Sequence, residues 1–145
     1  MIYYMFWDLT KTLSYNALLN FCIGERGVGK SFSAKKFVIN DYLKNGNEFV
    51  YIRRYKTELE TAYEGFFDQL QTAGFFEDHQ FRIQQSKKKV DKFIIDKQVF
   101  GYGVPLSTAN ILKSASFPKV KTIIFDEFLI DNGTYHYLRN EVIQF

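Results

Sequence analysis

The chain has 145 residues, of which 46% are hydrophobic and 24% are charged, a balance that predicts a single globular domain with an ordinary core. Its net charge of +3 permits binding to a nucleic-acid backbone without arguing for it, and its one cysteine, Cys22, excludes an internal disulfide and fits a reducing compartment. No apolar run is long enough to cross a membrane, and the apolar stretch at residues 2–7 is too short for the core of a signal peptide.

The first predicted elements surround a glycine-rich turn. After a lead-in that includes a short helix at residues 14–19, the apolar residues 20–23 predict a buried strand. A helix is predicted over residues 31–43, because its apolar positions fall on one face and a stop signal follows at 44–46. The turn between strand and helix therefore precedes a helix N-terminus, where anions bind.

The turn itself fits the phosphate-binding pattern G-x-x-x-x-G-K-[ST]. Its glycines allow a tight turn with inward-pointing amides, Lys30 would neutralise the β- and γ-phosphates of ATP, and the Ser31 hydroxyl would ligate Mg²⁺. ATP and Mg²⁺ are therefore the predicted cofactors, and a coincidental glycine-rich turn is the alternative. The residues predicted to contact the phosphates are Gly24, Glu25, Arg26, Gly27, Val28, Gly29, Lys30, Ser31 and Phe32.

The middle of the chain predicts a strand at 48–53, a helix at 57–73 and then three stretches with a period of two, at 81–85, 92–96 and 99–102. These stretches indicate an antiparallel meander inserted into the α/β body. Its first turn carries a lysine cluster that would contact DNA or a neighbouring subunit, or would simply form a solvated hairpin tip. The cluster consists of Lys87, Lys88 and Lys89.

The last predicted strand, at residues 122–125, runs directly into Asp126 and Glu127. A carboxylate pair after a buried strand is the usual partner of a phosphate-binding turn, since both lie where ligands bind in open α/β sheets. Asp126 would hold the magnesium, and Glu127 would orient and polarise the attacking water, which favours hydrolysis over phosphoryl transfer. A loop near 132–133 and a helix from about residue 140 complete the predicted elements.

Three arginines are further candidates for this site. Arg53 and Arg54 stand at the C-terminal end of the strand at 48–53 and point to opposite faces. One of them could reach Glu127 or the γ-phosphate while the other faces a neighbouring subunit or DNA, and the hypothesis is that Arg53 gates Glu127. Arg26, within the turn, is a candidate for sensing the γ-phosphate. Surface salt bridges for Arg53 and Arg54, and solvent exposure for Arg26, are the alternatives.

Several stretches resemble one family, the DNA-packaging ATPases of small short-tailed phages with protein-primed genomes (the phi-29 group). Arg-Arg-Tyr-Lys at 53–56 and Pro-Leu-Ser at 105–107 are the most particular to that group. The other similar stretches are residues 5–20, 21–31, 51–52, 58–59, 95–96, 122–128 and 140–142.

The resemblance implies an ATP-driven motor that forms a homomeric ring, a pentamer, at the portal vertex of an empty capsid in the host cytoplasm, and moves double-stranded DNA inward. It gives Lys30, Asp126 and Glu127 the roles stated above, and adds Lys56 as a candidate contact with DNA or a neighbouring subunit. The family continues with further elements, so the chain, residues 1–145, is expected to be an ATPase domain truncated at its C-terminal end, with a trans-acting arginine beyond Phe145.

Taken together, these patterns predict a three-layer α/β fold, a P-loop NTPase of the additional-strand catalytic glutamate type. Its sheet would be mostly parallel, with the inserted meander at about residues 80–105.

Two other functions stay open. One is another ring-forming DNA translocase, which genomic context would distinguish. The other is an assembly module that binds ATP as a latch and barely hydrolyses it.

Overall fold

A computed structural model of the chain describes residues 7–87, 90–130, 136–139 and 141. Its helices are α1 (Leu9–Leu13), α2 (Lys30–Asn45), α3 (Lys56–Tyr63) and α4 (Asp68–Thr72), with a 3₁₀ helix at Leu106–Ser114. Its strands are β1 (Glu48–Arg53), β2 (Phe81–Gln84), β3 (Asp91–Ile95), β4 (Gln98–Pro105) and β5 (Val120–Phe125). Within these ranges, none of the helices has both the length and the apolar character that crossing a bilayer requires.

The strands form one mixed sheet in the order β2-β3-β4-β1-β5. β1 pairs in parallel with both β4 and β5, whereas β3 pairs antiparallel with β2 and β4. The side chains of Phe49, Val50, Tyr51 and Ile52 are all buried, so β1 is covered on both faces. Because β1 and β5 are parallel neighbours, the segments that follow them emerge at the same edge of the sheet.

The predicted three-layer P-loop NTPase fold is wrong. Helices α2, α3 and α4 pack on one face, around a core that includes Val38, Leu59 and Leu70. The other face of the described part packs instead against the 3₁₀ helix and loops, around Val50 and Ile52. The sheet is not mostly parallel, and the meander is not an insertion, since β4 pairs directly with β1. The architecture is a small mixed sheet with few helices.

The strand predicted at 20–23 and the helix predicted at 14–19 also do not form. Phe21 and Ile23 are 70% and 73% exposed, and Cys22 is only half-buried, although burial still raises the pKa of its thiol. A four-residue apolar run does not by itself distinguish a buried strand from exposed coil. The lead-in helix instead lies earlier, at α1.

Other elements match their sequence signals. β1 has the predicted bounds, and α2 lies between Gly29 (φ 88°) and Gly46 (φ 71°), two left-handed positions that favour glycine. By contrast, the single helix predicted at 57–73 is wrong: the segment forms two short helices, α3 and α4, separated at Gly65, whose φ of 64° does not continue a helix. The two-residue turn Asp96–Lys97 joins β3 to β4 with positive φ at both residues, as tight hairpins require. The loop predicted near 132–133 lies outside the described residues, as does nearly all of the helix predicted from about 140.

Candidate functional site

Four segments meet at the edge of the sheet where β1 and β5 end. They are the glycine-rich turn at 24–29, the first turn of α2, the end of β1 and the residues after β5. The backbone N–H of Asp126 donates to the carbonyl oxygen of Ile52 at 3.2 Å, which fixes the chain after β5 beside the end of β1. This edge of the sheet therefore brings the glycine-rich turn close to Asp126 and Glu127, as the sequence predicts.

The Lys30 ammonium lies across the glycine-rich turn. Its Nζ donates to the carbonyl oxygens of Gly24 at 2.7 Å and Glu25 at 2.6 Å, which closes the turn at the N-terminus of α2. The lead-in supports the same turn, since the backbone N–H of Trp7 donates to the carbonyl oxygen of Val28 at 2.8 Å. Lys30 and the helix dipole together make this turn the electropositive side of the site.

Ser31 and Asp126 are in direct contact. The Ser31 Oγ donates to Asp126 Oδ1 at 2.9 Å and Oδ2 at 3.0 Å. The backbone N–H of Glu127 also donates to Asp126 Oδ1, at 3.1 Å. The serine proton is used on the carboxylate, so the lone pairs of its oxygen remain available to a cation.

The donor set at this contact suits magnesium. Hydroxyl and carboxylate oxygens are the ligands that Mg²⁺ prefers, and it is commonly held by one or two carboxylates together with substrate phosphates and water. No group of three or more His, Cys, Asp or Glu side chains within the described ranges could hold a metal alone. Ser31 and Asp126 therefore fit a magnesium ion that also binds phosphate, rather than a metal held by protein ligands only.

Arg53 joins the two carboxylates after β5. Its NH1 forms an ion pair with Glu127 Oε2 at 2.8 Å, and its NH2 lies 3.7 Å from Asp126 Oδ2. Glu127 has φ 53°, an uncommon left-handed backbone for a non-glycine residue, and its side chain is 55% exposed. The carboxylate predicted to orient water is thus held by the arginine predicted to control it.

Two further residues border Asp126 that the sequence patterns did not single out. The Tyr51 hydroxyl donates to Asp126 Oδ2 at 2.9 Å and accepts from Arg53 Nε at 3.3 Å. Burial, and then the Asp126 carboxylate, raise the pKa of Tyr51, so its hydroxyl stays protonated and donates. Burial lowers the pKa of Lys35, which lies one turn after Ser31, while Asp126 opposes that shift.

A sequence signal for Tyr51 does exist. Residues two apart on a strand share a face, so Tyr51 lies on the same side of β1 as Arg53. A tyrosine within an apolar strand is, however, also typical of an ordinary core residue. Lys35 has the corresponding helical signal, four residues after Ser31.

The remaining predicted phosphate contacts lie around the turn. Arg26 is exposed, Val28 is 36% exposed, and the glycines lie in the turn or at its ends. The Phe32 ring packs edge-on against Phe75 with 6.0 Å between ring centres, so any contact of this residue with phosphate would come from its backbone.

The predicted contacts with DNA or a neighbouring subunit are placed differently. Arg54 is 1% exposed and its guanidinium forms an ion pair with Glu141 at 2.7 Å, so it has no surface for such a contact. Lys56 Nζ lies 2.9 Å from the buried carboxylate of Asp91. Lys87 is exposed, whereas Lys88 and Lys89 lie outside the described residues.

The chain has clear relatives among curated proteins. The proteins named "DNA packaging protein" of Bacillus phages phi29 and PZA are each 41% identical over 138 residues, covering 95% of this chain and 39% of the relative. That of Bacillus phage B103 is 42% identical over 130 residues, covering 90% of this chain and 38% of the relative. The chain thus spans less than half the length of these relatives.

The chain is also similar to solved structures of phage packaging proteins. The crystal structure of the N-terminal domain of the DNA packaging ATPase from bacteriophage phi29 superposes with a TM-score of 0.83 at 38% identity, covering 96% of this chain and 68% of that one. A chain of the bacteriophage Phi-29 viral genome packaging motor assembly gives 0.78 at 39% identity, covering 97% of this chain and 40% of that one.

The model of one protein family matches the whole of residues 1–145. The chain belongs to the family of the Podovirus DNA encapsidation protein (Gp16).

Proposed function

We propose that this chain is the nucleotide-binding part of an ATP-driven motor that packages double-stranded DNA into a phage capsid. The contact between Ser31 and Asp126 carries the proposal, because it joins a phosphate-binding turn to an acidic side chain with the oxygen donors that Mg²⁺ prefers. The contact between Ser31 and Asp126 is present in the small mixed sheet, so the proposal does not require a three-layer fold.

The residues of the site would act on ATP by positioning and electrostatics. Lys30 and the amides at the start of α2 would bind the phosphates, while Ser31 and Asp126 would hold Mg²⁺, which neutralises phosphate charge when bound. Glu127 would orient the attacking water and accept its proton. Arg53 would hold Glu127 until the site is ready for hydrolysis.

The partners follow from the relatives and are proposed with the activity. Double-stranded DNA, further copies of the chain in a ring (a pentamer), and the portal of an empty capsid in the host cytoplasm are the proposed partners. The names of the relatives, which include a DNA packaging ATPase and a genome packaging motor assembly, support them. Among the described residues, Lys87, which is exposed at its turn, and Lys56, whose side chain is 37% exposed, are the proposed contacts with DNA or a neighbouring subunit.

A second candidate function rests on the ion pair between Arg53 and Glu127. A glutamate held at 2.8 Å by an arginine is engaged and not free to orient water. A module that binds ATP as an assembly latch, and hydrolyses it very slowly, would also have this arrangement.

The substitution Glu127→Gln separates the two functions. In the motor, phosphate release falls by about 100-fold or more, since general-base catalysis contributes roughly that much, while ATP affinity is retained. In the latch, the rate of phosphate release is the same in both proteins. Glu60→Gln, an exposed substitution on α3, is the matched control and leaves both quantities unchanged.

A further inference from the structure

Tyr51 lies on β1, between β4 and β5, and its ring is packed against other aromatic rings. The residue is 1% exposed. The Phe66 ring packs edge-on against it with ring centres 5.0 Å apart, and the Phe93 ring does so at 6.3 Å. A ring packed in this way holds its hydroxyl at one place on the surface of β1.

The Tyr51 hydroxyl accepts a hydrogen bond from Arg53 and donates one to Asp126, so it links these two charged side chains. Arg53 Nε donates to the Tyr51 oxygen at 3.3 Å, and the Tyr51 hydroxyl donates its single proton to Asp126 Oδ2 at 2.9 Å. The backbone N–H of Glu127 donates to Asp126 Oδ1, and the Ser31 hydroxyl lies within hydrogen-bond distance of both carboxylate oxygens. The Tyr51 hydroxyl on β1 therefore holds Oδ2 from the side of the sheet, while Ser31 contacts the carboxylate from α2.

We propose that Tyr51 is a positioning residue that sets the orientation of the Asp126 carboxylate toward Ser31 and so toward the cation. This inference rests on the function proposed above, in which Asp126 holds Mg²⁺. Tyr51 acts through Asp126 and does not touch the nucleotide or the metal itself. Groups that orient a metal ligand in this way commonly change metal affinity about 10- to 100-fold when removed.

The chain contains a matched control for this role. Tyr63 is also a buried tyrosine that packs edge-on against Phe93, and its hydroxyl donates to a carboxylate, Asp91 Oδ2, at 2.8 Å. Asp91 pairs with Lys56 and the backbone of Ser86, so this second tyrosine supports the fold rather than the site. Removing either hydroxyl costs a hydrogen bond to a buried or half-buried carboxylate.

The experiment compares Tyr51→Phe and Tyr63→Phe in the full chain by calorimetry with ATP, with and without Mg²⁺, and by urea unfolding. We expect Tyr51→Phe to weaken the affinity for ATP in Mg²⁺ by about 10-fold or more and to leave the affinity without Mg²⁺ unchanged. Tyr63→Phe lowers stability but leaves both affinities as in the wild type.

Three results would overturn the inference while leaving the proposed function in place. They are an unchanged Mg²⁺-dependent affinity in Tyr51→Phe, an equal loss in both variants, and a Tyr51→Phe chain that does not fold by circular dichroism, which would assign the hydroxyl to the fold. A wild-type chain whose ATP affinity ignores Mg²⁺ would overturn the proposed function, and this inference with it.

Discussion

The Ser31 hydroxyl donates to both carboxylate oxygens of Asp126, at 2.9 Å and 3.0 Å, although the two residues lie 95 positions apart in the sequence. Ser31 lies in the first turn of α2 and Asp126 follows β5, so their contact depends on the pairing of β5 with β1 and on the packing of α2 against the same sheet. The geometry of the site is thus a product of tertiary structure, and it is sensitive to changes on either side.

Lys30 should contribute most of the charge that binds phosphate. We expect Lys30→Ala to weaken ATP affinity by about 10- to 100-fold, because a hydrogen bond to a charged group is worth about 1.5–3 kcal/mol. Calorimetry measures the change. Lys44→Ala, at the exposed other end of α2, is the control and keeps the wild-type affinity. Equal affinities for Lys30→Ala and wild type would argue against a phosphate site in this turn.

Arg53 should restrain Glu127. Since the Arg53 guanidinium holds the Glu127 carboxylate at 2.8 Å, Arg53→Ala is expected to increase the basal rate of phosphate release several-fold, roughly the effect of one ion pair with an exposed carboxylate. In the double variant that carries both Arg53→Ala and Glu127→Gln, the increase in the rate of phosphate release should disappear, because the carboxylate that Arg53→Ala releases is no longer present. A basal rate equal to or below that of the wild type contradicts a restraining role.

Much of the local structure was predictable from short-range patterns. The continuous apolar run of β1, the stop signal at Gly46 and the turn at Asp96–Lys97 each depend on residues close in sequence. The sheet order was not, because nothing local shows that β4 pairs in parallel with β1. The phosphate-binding motif and the carboxylate pair suggested a three-layer fold, whereas these residues form one small mixed sheet.

The candidate site, like the fold, was predictable from the sequence only in part. The turn at 24–31 and the pair Asp126 and Glu127 were visible as motifs, and the structure brings Ser31 and Asp126 together. Tyr51 has no motif, since its role depends on a contact 75 positions away. The burial of Arg54 was equally unpredictable from the sequence, because its partner Glu141 lies 87 positions further along the chain.

Gly101 should be intolerant of any side chain. A Cβ at this position in β4 would lie 2.2 Å from Cε1 of Phe49, a ring that is 1% exposed. We expect Gly101→Ala to lower the free energy of unfolding by about 1–3 kcal/mol, the usual cost of overpacking. Urea denaturation measures it. Combining Gly101→Ala with Phe49→Leu should cost less than the sum of the two single changes, and strict additivity would show that this clash is not the cause.

The ion pair of Arg54 and Glu141 should make stability sensitive to acid. The hydrogen bonds from Arg54 hold the pKa of Glu141 below its ordinary value of 4.5, against the opposing effect of burial. A carboxylate with a depressed folded pKa stabilises the protein above its unfolded pKa, and this contribution is lost as pH falls through the folded pKa.

Glu141→Gln should therefore be less stable than the wild type near neutral pH, and the difference should shrink below pH 4.5. Urea denaturation across the acid range measures it. Glu64→Gln, an exposed substitution after α3, is the control and should track the wild type throughout. A difference for Glu141→Gln that stays constant with pH would mean that the ionised pair is not what stabilises this contact.

The most direct test of the proposed site is calorimetry of ATP binding to the full chain, with and without Mg²⁺, for the wild type, Ser31→Ala and Asp126→Asn. We expect Mg²⁺ to tighten ATP binding to the wild type, and each substitution to abolish most of that gain while leaving metal-free binding unchanged. A folded wild-type chain whose ATP affinity is the same with and without Mg²⁺ would contradict the magnesium–triphosphate site.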